Sequence, residues 1–148
     1  ITLPPRPLES SVDVSLLRSS FDAVKPHADD VARAFYARML ATFPQVRPLF
    51  AQTDFEAQRR NLMATLGSVV ALADKPDELT PVLQRLGQSH HGHGVVASQY
   101  PYVAFSLMAT LADHLGDGWT EELATTWEAA LDVVSAAMIE AQAAAAQG

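Results

Sequence analysis

The chain has 148 residues, 49% hydrophobic and 18% charged, which predicts one globular domain and excludes a disordered chain. Its formal net charge of −7 argues against nucleic-acid and anionic-membrane surfaces, since both need concentrated basic side chains. The absence of cysteine excludes thiol catalysis, disulfides and thiolate metal sites, and it favours a cytoplasmic location. No apolar run is long enough for a membrane span, and no signal-peptide pattern opens the chain.

Apolar residues recur at helical spacing along the chain, and no strand or hairpin pattern occurs. The first stripe runs from Val14 to Val24 and is limited by Pro26. The second runs from Val31 to Phe43 and is closed by Pro44, and a short segment, Val46–Phe50, follows. This first part of the chain therefore predicts two long helices and a connector.

Capping residues mark the remaining helices. The third begins near Asp54, and the fourth begins at the Asp74–Asp77 signal. The fifth ends at Gly116, and Thr120 caps the last helix. The fold class is thus all-α, with about six long helices and short connectors.

We expect the domain to cover residues 12–140. A proline-rich N-terminal arm precedes it at residues 1–11, and an alanine-rich tail follows at residues 141–148. Such a tail is either a helix end or the start of a linker, so the chain is interpretable as a piece of a longer protein.

His90 lies where a helical core does not need a histidine. It shares a face with Leu79, Leu83 and Leu86, directly before Gly92 ends the helix. An imidazole there is either a core histidine satisfied by a backbone carbonyl or a metal ligand. The local pattern alone favours the carbonyl.

Several short motifs occur together in one order. With them, the chain resembles a bacterial single-domain globin, of the type related to the haem domain of flavohaemoglobins, from about Leu16 to Ile139. The matching stretches are Phe35-Tyr36, Pro44, Arg47-Pro48-Leu49-Phe50, Gln58, Leu62-Met63, Leu86-Gly87, His90, Gly94-Val95-Val96, Gln99-Tyr100-Pro101, Val103, Leu115-Gly116 and Trp127.

The resemblance implies a globin fold around a haem pocket. His90 would be the proximal histidine, binding the haem iron through Nε2, with its Nδ1–H oriented by the carbonyl of Leu86. The cofactor would be haem b, iron protoporphyrin IX, held without a covalent bond.

The distal side of the pocket is assigned by the same resemblance. Tyr36 would donate a hydrogen bond to bound dioxygen, Gln58 would support the ligand or Tyr36, and Leu62 would wall the pocket. The alternatives are a buried tyrosine bonded to a carbonyl, a solvent-facing glutamine and ordinary core packing.

The remaining cofactor contacts are apolar or lie at the edge of the pocket. Phe50 would stack on the haem face, and His93 would lie near the haem edge. An alternative small-metal site with His90 lacks further ligands. The other contact residues that the resemblance implies are Leu86, Val95, Tyr100 and Val103.

Two further positions carry expectations. Flavohaemoglobins have a glutamate late in the last helix that increases electron donation by the proximal histidine, and Gln142 stands there instead. We therefore expect the proximal histidine to donate less electron density to the iron, and peroxidase-like activity to be weaker. Arg59 and Arg60 are predicted to be solvated surface charges.

The resulting function is O2 binding, with CO and NO, at a five-coordinate iron, as in oxygen transport. The alternatives are nitric oxide detoxification by a dioxygenase with an external reductase, a haem-based gas-sensor domain, and a plain helical interaction protein. The dioxygenase would need an external reductase because no Gly-rich dinucleotide fingerprint occurs in these residues. The chain is expected to be a monomer or a homodimer.

Overall fold

The computed structural model describes residues 13–92 and 97–147, and for residues 89–92, 97 and 145–147 it describes the backbone alone. The proline-rich arm predicted at residues 1–11 lies outside this part. In the described part the chain forms six α-helices: α1 (Val14–Val24), α2 (Ala28–Thr42), α3 (Phe55–Ala71), α4 (Pro76–Gly92), α5 (Tyr100–Leu115) and α6 (Glu121–Gln147). Short 3-10 turns join α1 to α2, follow α2, precede α5 and join α5 to α6.

The helix boundaries follow from local chemistry. The Asp13 carboxylate accepts a hydrogen bond from the Leu16 N–H at 3.1 Å and caps α1. Gly116, with φ of 54°, follows the last residue of α5 in a conformation that side chains disfavour. The Thr120 hydroxyl accepts from the Leu123 N–H at 3.1 Å, as predicted for the cap of α6.

The predicted all-α fold with six helices is confirmed for the described residues. None of their helices has the length and apolar character that a bilayer crossing requires. Helix α6 continues without a break to Gln147, and Ala141 and Gln142 are buried within it.

The main core lies between α1, α2, α3, α5 and the first half of α6. Helix α2 packs mainly on α5 and α3, whereas α4 packs mainly on α6. The largest fully buried side chains of this core are Trp127, Phe35, Leu17, Leu107, Leu111, Val24 and Val31.

A second, smaller core joins α4 to its neighbours. Leu79 and Leu83 of α4 are buried with Val69 of α3, and Val134 and Ala137 of α6 pack against them. The helices α3, α4 and α6 therefore meet at the N-terminal half of α4.

One buried hydrogen bond ties α1 to α6. The Trp127 indole Nε1–H donates to the Ser20 hydroxyl at 2.9 Å, and that hydroxyl donates to the Leu16 carbonyl at 2.7 Å. Ser20→Ala removes the acceptor and leaves a buried N–H without its partner. We expect it to lower the free energy of unfolding by about 1–3 kcal/mol.

Urea unfolding of the ligand-free protein measures this loss. Ser19→Ala is the matched control, because Ser19 is an exposed neighbour that bonds only the Leu16 carbonyl at 3.3 Å. Equal unfolding midpoints for the two variants would show that the indole does not depend on Ser20.

Candidate functional site

A buried phenol and a half-buried amide meet between α2 and α3. Tyr36 is only 6% exposed, and the Gln58 Nε2 donates a hydrogen bond to its hydroxyl oxygen at 3.1 Å. Since the phenol oxygen accepts in this bond, its own hydrogen can be donated to another acceptor. The structure thus joins two of the predicted site residues in one hydrogen-bonded pair.

The start of α3 fixes the backbone of Gln58. The Asp54 carboxylate accepts from the Ala57 N–H at 3.2 Å, and the Gln58 N–H donates to the Asp54 carbonyl at 2.9 Å. This cap places Gln58 in the first turn of the helix. The amide therefore reaches Tyr36 from an ordered helix end.

An ion pair between α2 and α3 holds the same helix start from outside. The Arg59 Nε lies 2.8 Å from an Asp29 carboxylate oxygen, and the Arg59 side chain is only 16% exposed. The hydrogen bond from Arg59, followed by that from Arg33, holds the pKa of Asp29 below its usual value of 3.8. The prediction that Arg59 is a solvated surface charge is wrong, because its side chain is mostly covered and its guanidinium is paired with Asp29. The local sequence does not show this partner, which lies 30 residues away. Arg60 is 66% exposed, as predicted.

Three aromatic rings surround Tyr36. The ring centroids of Phe35, Phe50 and Phe55 lie 4.8, 5.9 and 5.7 Å from that of Tyr36, all in edge-on geometry. Phe50 and Phe55 also stack on each other at 5.9 Å. The sequence analysis does not include Phe55 in the site. The signal that could have indicated it is its aromatic side chain directly after the Asp54 cap.

Burial raises the pKa of the Tyr36 phenol above its usual 10.0, while the hydrogen bond from Gln58 lowers it by a smaller amount. The phenol is therefore protonated at neutral pH. A protonated phenol with a fixed ring is a hydrogen-bond donor of defined position.

A gap of about 280 Å3 separates α3 from α4. It is lined from α3 by Ala64, Thr65 and Ser68, and from α4 by Val82, Arg85 and Leu86. Leu62 precedes Thr65 by three residues and follows Gln58 by four, so the three positions share one face of α3. Thr65 therefore links this face to the gap, whereas Gln58 and Leu62 themselves do not line it.

The proximal residues are described only in part. His90 lies on α4, one turn beyond Leu86, but its side chain lies outside the described residues. His93 and Val95 lie outside them entirely. Whether Leu86 orients His90 thus stays a prediction.

Tyr100, Val103 and Gln142 complete the set of described site residues. Tyr100 is buried at the start of α5, which raises the pKa of its phenol, and Val103 is half-buried one turn later. Gln142 is 7% exposed in α6. The position that the resemblance assigns to an anionic carboxylate thus holds a buried neutral amide.

This arrangement fits a flat apolar cofactor with an iron centre. The half-buried side chains of Phe50, Leu62, Leu86 and Val103 leave apolar surface uncovered by protein. On one side of the gap lies α3, whose Gln58 bonds the phenol donor, and on the other lies the helix that carries His90. Haem requires an imidazole donor and apolar surroundings, and the resemblance assigns the first to His90 and the second to these four apolar side chains.

Family and sequence comparisons agree with each other. The family model described as Globin matches residues 33–138. A flavohemoprotein of Bordetella parapertussis is 33% identical over 118 residues, which are 78% of this chain and 29% of that protein. A flavohemoprotein of Bacillus subtilis is 28% identical over 129 residues, which are 85% of this chain and 32% of that protein. The chain thus spans about three-tenths of the length of these curated relatives.

Two solved structures show the same fold. A bacterial globin from Campylobacter jejuni superposes with a TM-score of 0.81 at 16% identity, covering 95% of this chain and 99% of that one. An engineered carbene transferase, made from a candidate nitric oxide dioxygenase of Rhodothermus marinus, gives a TM-score of 0.77 at 27% identity. That comparison covers 90% of this chain and 91% of the other.

Proposed function

This chain belongs to the globin family, and from that premise we propose that it binds haem b without a covalent bond and holds O2, CO or NO there. Haem would supply an iron atom on which these gases bind, with His90 as the proximal ligand. The hydrogen bond from Gln58 to buried Tyr36 carries the proposal, since it leaves the phenol hydrogen for the gas.

The apolar residues of the site would hold the cofactor by burial. Phe50, Leu62, Leu86 and Val103 are each half-buried, so a bound cofactor removes further apolar surface from water. Each Å2 removed contributes roughly 25 cal/mol. Tyr100, Val95 and His93 would add contacts at the proximal side and the edge.

Tyr36 would give the site its preference for O2. Dioxygen at such an iron would carry partial negative charge, so the hydrogen bond donated by Tyr36 would stabilise it more than it would stabilise CO. The Gln58 amide and three neighbouring rings fix the phenol, which limits the entropy lost when it donates. We therefore expect tight O2 binding with slow release.

Titration of the purified chain with hemin tests the proposal. A sharp Soret band at one equivalent, followed by distinct ferrous and ferrous-CO spectra after reduction, is the expected result. A preparation that stays colourless and leaves added hemin free would contradict it and favour a plain helical interaction protein.

Nitric oxide dioxygenation is the second candidate, because the chain resembles flavohemoproteins and a candidate dioxygenase of that type. The reaction joins NO to O2 and, with one electron, yields nitrate. Tyr36 and Gln58 would hold the O2 that reacts. The electron must come from a reductase outside these residues, since they contain no dinucleotide fingerprint.

Sustained turnover separates the two functions. NADH-dependent NO consumption over many equivalents, with a reductase from cell extract, would support the dioxygenase. A single equivalent of nitrate supports neither function over the other, because any tightly held O2 reacts once. Consumption that stops after that equivalent, even with the reductase, leaves gas binding as the function.

The neutral amide of Gln142 favours gas binding over peroxidase-like chemistry. A carboxylate at this position would increase the electron density on the proximal imidazole, and a buried amide does so less. We propose that this chain accordingly holds its ligand with little tendency to cleave it.

A further inference from the structure

Gly87 lies at the closest approach of α4 and α6. A Cβ atom built on Gly87 would lie 2.6 Å from the Met138 carbonyl oxygen, 2.8 Å from the Ala141 Cβ and 3.0 Å from the Met138 Cα. Two of these three atoms belong to the backbone of α6, so rotation of a side chain cannot relieve the clash. Any residue other than glycine therefore moves one helix away from the other.

Contact with α6 determines where α4 lies. Helix α4 packs far more extensively on α6 than on any other helix of the described part of the chain. Towards α3, α4 makes a smaller contact, in which Leu79 and Leu83 pack with Val69. The gap that Val82 and Leu86 line lies between the same two helices. The more extensive contact with α6 thus contributes most to the width of that gap.

We propose that Gly87 is a positioning residue for the proximal ligand. Its missing side chain lets α4 seat directly on the α6 backbone, and this contact places His90, three residues further along α4, at the correct distance from the gap. The inference rests on the proposed binding of haem between α3 and α4, although Gly87 itself does not line the gap.

Gly67 provides a matched control. It also lies inside a helix, but a Cβ atom there would contact only the Phe21 ring, at 3.6 and 3.7 Å, which is ordinary van der Waals contact. Both glycine-to-alanine changes raise helix propensity equally. Only the change at Gly87 forces two helix backbones apart.

The test compares haem-loaded Gly87→Ala and Gly67→Ala with the wild type. We measure transfer of haem to a scavenger protein and the iron–histidine stretching band in the resonance Raman spectrum of the ferrous protein. For Gly87→Ala we expect a shifted or broadened band and about tenfold faster haem loss, as when supports of a metal ligand are altered. For Gly67→Ala we expect wild-type values.

Two further variants act on the same contact from α6. Ala141→Val adds bulk opposite Gly87 without changing α4, so it should shift the band as well. Combining Gly87→Ala with Ala141→Gly removes the 2.8 Å contact but not the Met138 carbonyl, so it should restore the band in part. These variants test the inference even where Gly87→Ala alone does not fold.

A wild-type band and wild-type haem retention in both Gly87→Ala and Ala141→Val would overturn the positioning role. A lower unfolding temperature of these two variants, with the band and the haem retention unchanged, would also overturn the positioning role. The proposed haem binding by the wild type would then still stand. Failure of the wild type itself to take up hemin overturns the proposed function and this inference together.

Discussion

Replacing His90 by alanine is expected to leave a helical protein that no longer retains haem. The imidazole is the only bond that we propose between the chain and the iron, so its loss leaves apolar contact alone. Substitutions that merely support a metal ligand weaken binding by about tenfold to hundredfold, and removal of the ligand itself should exceed that range. Gel filtration of the hemin-loaded variant, followed by its absorption spectrum, measures the loss.

His91→Ala is the matched control, because it makes the same change at the next position of α4. It should retain haem with normal spectra. Added imidazole should partly restore the iron spectrum of His90→Ala, since the small ligand fits the space that the side chain leaves. Normal ferrous and ferrous-CO spectra in His90→Ala without imidazole would refute the assignment of His90.

The helix boundaries could be predicted from sequence because their causes are local. Pro26 and Pro44 lie at the turns that follow α1 and α2, Gly116 ends α5, and Thr120 caps α6 with its own hydroxyl. Each of these effects acts within a few residues, so it is visible in the order of the amino acids.

Contacts between distant residues could not be predicted in this way. The sequence predicts a solvated Arg59 because its partner, Asp29, lies in another helix. Phe55 reads as an ordinary first-turn residue until the rings of Tyr36 and Phe50 are placed beside it. Gly87 belongs to one of the stretches that carry the resemblance, but the sequence does not show why a glycine is needed there, since that depends on how closely α6 approaches.

The pair of Tyr36 and Gln58 could be predicted in part from local spacing and in part only from the family resemblance. Local spacing puts Gln58 and Leu62 on one face of α3, but it does not bring that face to Tyr36 on α2. The family resemblance supplied the pairing, and the structure shows the hydrogen bond between Gln58 and Tyr36.

Tyr36→Phe is expected to raise the O2 dissociation rate by about tenfold to thirtyfold. The substitution keeps the ring and its edge-on contacts with Phe35, Phe50 and Phe55, and removes only the hydroxyl. The loss of one hydrogen bond of about 1.4–2 kcal/mol to the bound gas gives this factor. Stopped-flow displacement of O2 by CO measures the rate.

Tyr102→Phe is the control for loss of a phenol elsewhere, because Tyr102 stacks on Phe43 at 4.4 Å and makes none of the ring contacts with Tyr36. It should leave the O2 rate unchanged. CO dissociation should change less than O2 dissociation in Tyr36→Phe, since bound CO carries less negative charge. An unchanged O2 rate would remove Tyr36 from the ligand site.

A double variant then separates the two members of the pair. If Gln58 acts only by holding the Tyr36 phenol, Gln58→Leu should add nothing to Tyr36→Phe, because its amide no longer has a hydroxyl to hold. If the amide also donates to the gas, the two effects on the O2 rate should multiply. The bond from Gln58 Nε2 to the phenol oxygen uses one of the two amide hydrogens and holds the side chain on Tyr36, which favours the first outcome.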